Sequence, residues 1–428
     1  MKLNKICIEN FRCFKKIETE FQPDINVIIG NNGVGKTSIL DAISIGIGSL
    51  LLSIDGISAP SIKKEDAHVI SYEIGSTIDR QPQYPVSISC VGSMNSESVQ
   101  WSRKLLKENG KTTTGEALAI REISADWQKK IRCGDKNVAL PLISYYSTGR
   151  LWMQKRERQD NSIQIVNRFQ GYTDCLSAMS NEKLMLKWFE KMTLIELQEQ
   201  RTLPELSAVK KAIEECYSES GTKDNDVKVY FNIRSHQLEI QYCNENGEWH
   251  KHPFHELSDG YRNTLSLVAD IAYRMALLNP QYLDDVLKKT NGIILIDEID
   301  LHLHPVWQKN ILKTLHRIFP CVQFIVTTHS PSVISSAKKE QLLILNGEEC
   351  YSCQYEVYGK DVNSVLFEIM GTPARPDDIE QKLVQFNTCL DNDDLETAEK
   401  ILAELRNLLG NHNNDVISGA VALDFMKD

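Results

Sequence analysis

With 428 residues, 42% of them apolar and 25% charged, the chain has the composition of a folded protein with room for two cores, which excludes a wholly disordered chain. The formal net charge of −10 excludes a uniformly basic coat for nucleic acid, although a local basic patch could still bind phosphates. Eleven cysteines without a regular framework, no secretory signal layout and no apolar run of the roughly 20 residues that a membrane span needs predict a cytoplasmic protein without a membrane segment.

The first predicted elements surround a glycine-rich loop. LNKICIENFRCFKKIETEF predicts two antiparallel strands, and residues 25–29 form an apolar run typical of a buried strand. GNNGVGKTS follows that run directly, and SILDAISIGIG continues as a predicted helix. Gly30, Gly33 and Gly35 free the backbone to curl so that successive N–H groups point inward, and the positive end of the following helix would face the phosphates. The spacing G-x(4)-G-K-T in this strand, loop and helix order therefore predicts a phosphate-binding loop.

The chemistry of this loop favours ATP and Mg²⁺ as cofactors. We expect Lys36 to reach the β and γ phosphates and Thr37 to bind Mg²⁺. A chance match in a loop that binds no nucleotide is the alternative. The residues expected to contact the nucleotide are Asn31, Asn32, Gly33, Val34, Gly35, Lys36, Thr37 and Ser38.

The next part of the chain is predicted to contain short strands and then a basic segment. Strands are predicted within residues 66–105, and residues 101–160 carry 13 Lys and Arg against 7 Asp and Glu. Nucleic acid, a protein partner or plain solvation could each explain this charge. The densest basic group adjoins Trp152 and consists of Arg150, Lys155, Arg156 and Arg158.

A helical region is predicted up to about residue 220, followed by a hairpin. LMLKWFEKMTLIELQEQ has apolar residues at helical spacing, which favours an amphipathic helix packed on its own core. VKVYFNIR and LEIQYC predict paired strands, and a third strand is expected around Trp249. The hairpin leads into HELSDGYRNTL, a polar loop before the predicted helix TLSLVADIAYRMALL.

Two later strands end in polar side chains. In NGIILIDEIDLHLHP the apolar residues 293–296 predict a buried parallel strand, with Asp297 and Glu298 at its carboxyl end. We expect Asp297 to hold Mg²⁺ through water and Glu298 to act as the base for the attacking water. VQFIVTTHSP predicts a second strand that brings His329 beside the γ phosphate. The expected catalytic residues are thus Glu298, His329 and Lys36.

The last predicted elements are two strands in QLLILNGEECYSCQYEVY and two helices in an acidic tail. Apolar residues between 379 and 390 mark the first helix, and those between 395 and 409 mark the second, which is capped by Asp393 or Asp394 and stopped by Gly410. Metal sites at Asp300, His302 and His304, at Cys350 and Cys353, or at the HKHPFH histidines are minor alternatives.

The two polar strand ends, the glycine loop and LSDG together resemble the ABC-type ATPase heads of SMC, RecF and OLD proteins. The resemblance implies an α/β fold with a mixed, mainly parallel P-loop sheet, an antiparallel β subdomain, a compact helical insertion and C-terminal helices. In that group an LSGG-like loop completes the ATP site of the opposite subunit. The resemblance therefore implies that the LSDG residues act on the ATP site of another copy, in a head-to-head dimer with two buried ATP molecules. These residues are Leu257, Ser258, Asp259 and Gly260.

The departures from the group also matter. Asp259 replaces a glycine and would repel a triphosphate unless it points away or Arg262 offsets its charge. No long coiled coil is present in the sequence, and the tail is short for the metal-dependent nuclease domain of OLD proteins, to which Glu348 and Asp391-Asn392-Asp393 bear only a superficial likeness. We therefore expect no intrinsic nuclease domain.

The whole-chain layout is similar to the ATPase subunits of Septu-type anti-phage systems, including those linked to retrons. The phrases YYSTGRLW, IDEIDLHLHP and YGKDVNSVLFEIMG carry this likeness. It implies an ATPase that assembles as an oligomer and controls a separate HNH nuclease. A RecF-like repair clamp on DNA and a scaffold that does not hydrolyse ATP are the alternative functions.

The sequence predicts four parts of the chain. They are an N-terminal lobe with the glycine loop at 1–146, a mainly helical insertion at 147–226, a C-terminal ATPase lobe at 227–365 and an acidic helical tail at 366–428.

Overall fold

The computed structural model describes residues 1–94, 97–151, 167–177, 182–219, 225–244, 247–371 and 375–427. These residues form two compact units, Met1–Gly359 and Lys360–Asp428. The basic group predicted near Trp152 cannot be assigned a position, because Lys155, Arg156, Arg158 and the side chain of Arg150 lie outside the described residues.

The first unit contains the strands of four sheets. In chain order they are β1 Lys2–Phe11, β2 Phe14–Glu20, β3 Ile25–Ile29, β4 Val69–Ile74, β5 Thr77–Pro82, β6 Val86–Met94, β7 Glu97–Leu105, β8 Leu142–Tyr146, β9 Asn225–Asn232, β10 Gln237–Cys243, β11 Trp249–Pro253, β12 Gly292–Ile296, β13 Val322–Thr327, β14 Leu342–Asn346 and β15 Glu349–Ser352. The strands expected from the sequence before the glycine loop, in residues 66–105, in the hairpin before LSDG and after His329 are confirmed.

Helices cover the sheets of the first unit and make up the second. In chain order they are α1 Lys36–Ile47, α2 Leu118–Arg132, α3 Glu182–Glu199, α4 Pro204–Ser218, α5 Asp259–Leu278, α6 Val286–Lys289, α7 Pro305–Ile318, α8 Pro331–Ile334, α9 Val362–Glu368, α10 Asp377–Asp391, α11 Leu395–Leu409 and α12 Asn414–Lys427. The two helices expected in the tail are present as α10 and α11, and α9 and α12 are further helices that the sequence did not indicate.

A six-stranded sheet forms the centre of the first unit, in the order β15-β14-β3-β13-β12-β8. Its strands are parallel except for β15, which pairs antiparallel with β14. Every residue of β3, β12 and β13 is buried, as expected for strands covered on both faces. Because β13 separates β3 from β12, the three loops that follow these strands meet at one edge of the sheet.

Three antiparallel sheets complete the first unit. The order β2-β1-β6-β7 gives the sheet whose buried residues include Leu3, Ile6, Ile8 and Ile88, and β4 and β5 form a separate hairpin. Strands β11-β10-β9 form a three-stranded sheet directly before α5. The sequence did not indicate β8 as a strand, although it lines one side of β12.

Helix α1 and the turn after it are the most apolar helical stretch. Lys36–Ser53 has a mean hydropathy of 1.3 over 18 residues, which by length and composition is enough to cross a membrane. However, 72% of this stretch is buried inside the fold, and the core helix of a soluble protein passes the same test. Its residues Ile39, Leu40 and Ile43 are fully buried, so the helix serves as a core element here.

The amphipathic helix α3 also packs on its own unit, as the sequence favoured. Phe189 is fully buried, and the ring of Trp188 meets that of Tyr273 on α5 edge-on, with centroids 5.4 Å apart.

A buried ion pair anchors α5. Arg274 donates from Nε to Asp270 at 2.7 Å and from Nη1 to the carbonyl oxygens of Gly171 and Thr173 at 2.9 and 3.0 Å. The hydroxyl of Tyr146, at the end of β8, donates to the same Asp270 carboxylate at 2.8 Å. Burial, the largest single influence, lowers the pKa of Arg274, but the charge and hydrogen bond of Asp270 together with Tyr146 and Cys175 outweigh it, so the pKa is raised. The three side chains therefore act as one network between α5 and the central sheet.

We expect Asp270→Asn to lower the free energy of unfolding by about 3–5 kcal/mol, because it leaves the buried guanidinium of Arg274 without its counter-charge. Urea denaturation would measure the change. Asp285→Asn is the matched control, since Asp285 pairs with Lys289 at the same i,i+4 spacing on the surface and should change stability far less than Asp270→Asn. Equal effects of the two variants would contradict the prediction.

The second unit has an apolar core of its own. Phe386 on α10, Leu402 and Leu405 on α11, and Val416 and Leu423 on α12 are all buried in it. The carboxylate of Asp394 accepts the N–H of Thr397 and Gly410 follows the last residue of α11, so the predicted cap and stop of this helix are confirmed. Gly419 lets α12 approach closely, because a Cβ atom there would lie 3.0 Å from Leu402 and 3.2 Å from Phe386.

Candidate functional site

The loop between β3 and α1 has a backbone that only glycine allows at two positions. A Cβ atom at Gly30 would lie 2.4 Å from the carbonyl oxygen of Leu345, and one at Gly35 would lie 2.5 Å from the ring of Phe14. Gly35 also has a φ of 104°, in the left-handed region that L side chains rarely adopt. These constraints explain why the sequence needs glycine at the two ends of the loop.

The loop leads into α1, whose first turn is not capped by a side chain. The N-cap residue Gly35 makes no side-chain cap bond, and the first turn of α1 contains no acidic residue. The first N–H groups of α1 thus have no side chain competing for them, which suits an incoming anion. The helix start fits the phosphate group that the sequence predicts.

Lys36 lies inside the curl of this loop. Its Nζ donates to the carbonyl oxygens of Gly30 at 2.8 Å and Asn31 at 3.0 Å, and the residue is only 7% exposed. Its pKa is lowered by burial, while the carboxylates of Asp297 and Glu298 oppose that shift. The ammonium group is therefore partly desolvated, a setting in which an additional anionic partner would be favourable.

A hydrogen bond joins the glycine loop to the end of β12. The hydroxyl of Thr37 donates to Asp297 Oδ2 at 2.8 Å, across 260 residues of sequence. Asp297 is 2% exposed, and its N–H donates to the carbonyl oxygen of Tyr146 at 2.8 Å. A hydroxyl and a carboxylate held side by side are the hard oxygen donors that Mg²⁺ prefers, so these two residues fit that metal.

Thr327, the last residue of β13, fixes the neighbouring acidic pair. Its hydroxyl donates to Asp297 Oδ1 at 2.6 Å and accepts the N–H of Glu298 at 2.8 Å. Glu298 is half-buried and has a φ of +48°, in the left-handed region. Such a conformation is costly for a residue with a side chain and persists only where its surroundings hold it. The sequence analysis did not predict that Thr327 holds Asp297 and Glu298 in place, although its position at the end of β13 could have indicated it.

His329 follows β13 and faces the same group of charges. Its pKa is lowered, first by burial and then by Lys36, while Asp300, Glu298 and Asp297 act to raise it. The adjacent Thr328 donates its hydroxyl to Asp300, which ties the loop after β13 to the loop after β12. The structure thus brings together Lys36, Thr37, Asp297, Glu298 and His329, although the sequence separates them by up to 293 positions.

The LSDG segment lies at the start of α5, with Ser258 as the residue before the helix. Asp259 is exposed and accepts a hydrogen bond from Arg262 Nη2 at 2.9 Å, so Arg262 offsets its charge as the sequence suggested. Gly260 fits tightly against the loop after β12, because a Cβ atom there would lie 2.4 Å from the carbonyl oxygen of His302. Tyr261 then meets Trp307 of α7 edge-on, with ring centroids 4.5 Å apart.

The LSDG segment and the glycine loop are not joined within the chain. In the described residues, no hydrogen bond or ion pair connects Leu257, Ser258, Asp259 or Gly260 to residues 30–38. The segment instead contacts the loop that follows the acidic strand.

Several of the histidines considered above as alternative metal ligands make other contacts in the structure. His250 and His252 stack on the ring of Tyr242, with centroids 5.6 and 5.9 Å apart, and His304 accepts the N–H of Val306 at the start of α7. Across the parts of the chain that the structure describes, no group of three or more His, Cys, Asp or Glu residues is arranged to hold a metal ion.

Comparison with known proteins gives a family and several relatives. The model of a family described as an AAA domain matches residues 5–220. The chain is 27% identical to the "Retron Ec83 probable ATPase" of Escherichia coli, over 90% of this chain and 79% of that protein. It is 30% identical to the "Septu protein PtuA" of Bacillus thuringiensis, over 42% of this chain and 46% of that protein. The crystal structure of an SMC head bound to the C-winged helix domain of ScpA aligns with a TM-score of 0.49 at 15% identity, covering 83% of this chain and 99% of that chain.

Proposed function

Because this chain belongs to the AAA domain family of ATPases, we propose that it is the regulatory ATPase of a cytoplasmic anti-phage defence complex, acting as a head-to-head oligomer that controls a separate HNH-type nuclease. The observation that carries the proposal is the bond between Thr37 and Asp297, which closes the glycine loop onto the acidic strand. The retron and Septu relatives, the first aligned over 90% of this chain, support the defence role.

Each residue of the site has a proposed part. Lys36 and the start of α1 bind the phosphates of ATP, and Thr37 and Asp297 would hold Mg²⁺, which supplies charge neutralisation when bound. Glu298 accepts a proton from the attacking water, and its backbone is held for that task by Thr327. His329 donates a hydrogen bond toward the terminal phosphate. These parts together describe hydrolysis of ATP by positioning and charge.

The LSDG segment supplies the reason for an oligomer. Ser258 and the start of α5 are proposed to bind the terminal phosphate held by another copy, since helix starts attract anions. The same arrangement in both copies gives a two-fold pair with two composite sites. A single copy would then hydrolyse ATP poorly.

Mixing two inactive variants tests this arrangement. Lys36→Ala should lack nucleotide binding, and Ser258→Arg should bind nucleotide but fill the space meant for the partner's phosphate. Each should be inactive alone, whereas an equal mixture should recover up to about a quarter of wild-type turnover, because half of the randomly formed pairs contain one intact composite site. A mixture that remains inactive, while both variants still pair with wild type, would contradict action in trans.

A pull-down tests the defence role separately. The chain, expressed from its native operon with Glu298→Gln to retain ATP, should co-purify with a small HNH nuclease. Recovery of DNA-repair proteins on gapped DNA would instead favour the RecF-like clamp.

The lowered pKa of His329 leads us to predict that the protein takes up protons when ATP binds. In the free protein, burial and the charge of Lys36 keep the imidazole neutral near pH 7. Phosphate oxygens beside it would offset Lys36 and raise that pKa, so the imidazole should gain a fraction of a proton when ATP binds. Calorimetry in buffers of different ionisation enthalpy should show greater proton uptake by wild type than by His329→Gln. Equal uptake in the two proteins would contradict a position beside the phosphate.

A further inference from the structure

One face of the sheet β11-β10-β9 carries aromatic and basic side chains in alternation. Because side chains alternate along a strand, Val229, Phe231, Leu238 and Ile240 are buried on the opposite face, against the core. We call the solvent-facing side the aromatic face, and it is formed by Lys228, Tyr230, Gln241, Trp249 and Lys251.

The register of the three strands places the lysines between the rings. Gln241 pairs with Lys228 on one side and with Lys251 on the other, so the two lysines share one row across the sheet. Tyr230 pairs with Glu239 in the next row, and Trp249 pairs with Cys243 in the row on the other side. An aromatic ring thus lies in the row on each side of the short basic row.

Each ring contacts one of these lysines. Lys228 Nζ lies 5.6 Å from the ring centroid of Trp249, and Lys251 Nζ lies 5.8 Å from that of Tyr230. Cation–π contacts of this length orient the ring and the ammonium group together. Trp249 is 47% exposed, and both lysines are exposed, so the pairs remain open to solvent.

At the described positions where Tyr230 and the two lysines pair across the strands, the carboxylate is that of Glu239, and it is withdrawn from solvent. Glu239 is 8% exposed and accepts hydrogen bonds from the Tyr230 hydroxyl, from Asn232 at 2.6 Å and from Ser235 at 3.3 Å. Burial and the bond to Glu239 raise the pKa of Tyr230 to about 12, so its hydroxyl stays neutral and holds the ring in place. The aromatic face therefore presents two cations to solvent, in a chain whose net charge is −10.

We propose that the aromatic face binds single-stranded nucleic acid. Unpaired bases would stack on Trp249 and Tyr230, and Lys228 and Lys251 would contact the phosphates between them. A duplex fits poorly, because its base faces are already stacked and unavailable to the rings. The proposal stands on this sheet alone and does not depend on the ATP site or on a nuclease partner.

Fluorescence anisotropy of the full-length protein tests the proposal. The probes are labelled 20-nucleotide oligothymidylate and oligouridylate, with a duplex of the same length for comparison. Both single strands, or one of them, should bind more tightly than the duplex, and the stronger of the two identifies DNA or RNA as the source. Trp249→Leu should weaken binding about tenfold, because leucine retains apolar contact but offers no ring for stacking.

Replacing either lysine should make binding of the single strand less dependent on salt concentration. Lys228→Gln and Lys251→Gln should each reduce the slope of log affinity against log salt by about 0.7, as expected for one lost phosphate contact on a single strand. The matched controls are Tyr72→Ala and Lys64→Gln, an exposed aromatic and an exposed lysine on other elements, which should leave binding unchanged. ATP turnover of Trp249→Leu should equal that of wild type, which shows that the variant is folded.

Three results would overturn the proposal. They are binding of duplex as tight as that of single strands, single-strand binding that Trp249→Leu and both lysine variants leave unchanged, and no measurable binding of either oligonucleotide. In the last case, loss of a co-purifying protein from Trp249→Leu would identify the face as a protein-docking surface instead.

Discussion

Replacing Lys36 with alanine should weaken ATP binding at least about 100-fold. The ammonium group of Lys36 is buried within the glycine loop, where it already donates to two carbonyl oxygens. Hydrogen bonds to charged groups contribute about 1.5–3 kcal/mol each, so losing this cation costs at least about 3 kcal/mol of binding energy. Equilibrium binding of a fluorescent ATP analogue would measure the loss.

Two further variants separate charge from folding. Lys36→Met keeps the aliphatic stem but not the charge, so it should bind ATP as poorly as Lys36→Ala. Lys64→Ala removes an exposed lysine from another part of the unit and should bind ATP normally. ATP affinity within about threefold of wild type in Lys36→Met would mean that the loop does not use this cation.

Changing Glu298 to glutamine should lower turnover by about 100-fold or more while leaving ATP binding intact. Positioned general bases typically contribute 10²- to 10⁴-fold, and the amide has nearly the size of the carboxylate but cannot accept a proton. Removing a negative charge beside the triphosphate should also favour the bound state. The variant should therefore accumulate as an ATP-bound oligomer, visible by light scattering with ATP and absent with ADP.

The control for this variant is a carboxylate outside the site. Glu340→Gln changes an exposed residue next to β14 and should leave turnover unchanged. If Glu298→Gln hydrolyses ATP at the wild-type rate, then another group activates the water, and the strained backbone at Glu298 needs a different explanation.

The parts of the site that are formed by neighbouring elements along the chain were predictable from the sequence. A buried strand, a glycine loop and a helix follow one another within residues 25–47, and each is indicated by its own composition. The same holds for the strand before Asp297 and for the helix that begins within LSDG. The likeness to Septu-type ATPases rested on short phrases, and the retron and Septu relatives confirm it.

Contacts between distant segments were not predictable in this way. Thr327 bonds to Asp297 only because β12 and β13 are neighbours, and a single sequence does not state which strands are neighbours. Strand β8 was missed because LISYY is short and could equally belong to a buried helix. Helix α12 was missed because Gly419, Ala420 and Ala422 interrupt any apolar stripe, and its contacts rely on the close approach that Gly419 permits.

Tyr146 gives the proposed pair of copies a means of communication. Its carbonyl oxygen accepts the N–H of Asp297, and its hydroxyl donates to Asp270 on the helix that begins with LSDG. Tyr146 thus contacts both the candidate ATP site of its own chain and the helix proposed to act on the partner copy. Occupation of one composite site should therefore alter affinity at the other, and thermodynamic linkage requires the influence to be equal in both directions. If binding at one site strengthens binding at the other, the pair would respond to a narrow range of ATP concentration, as a threshold sensor does.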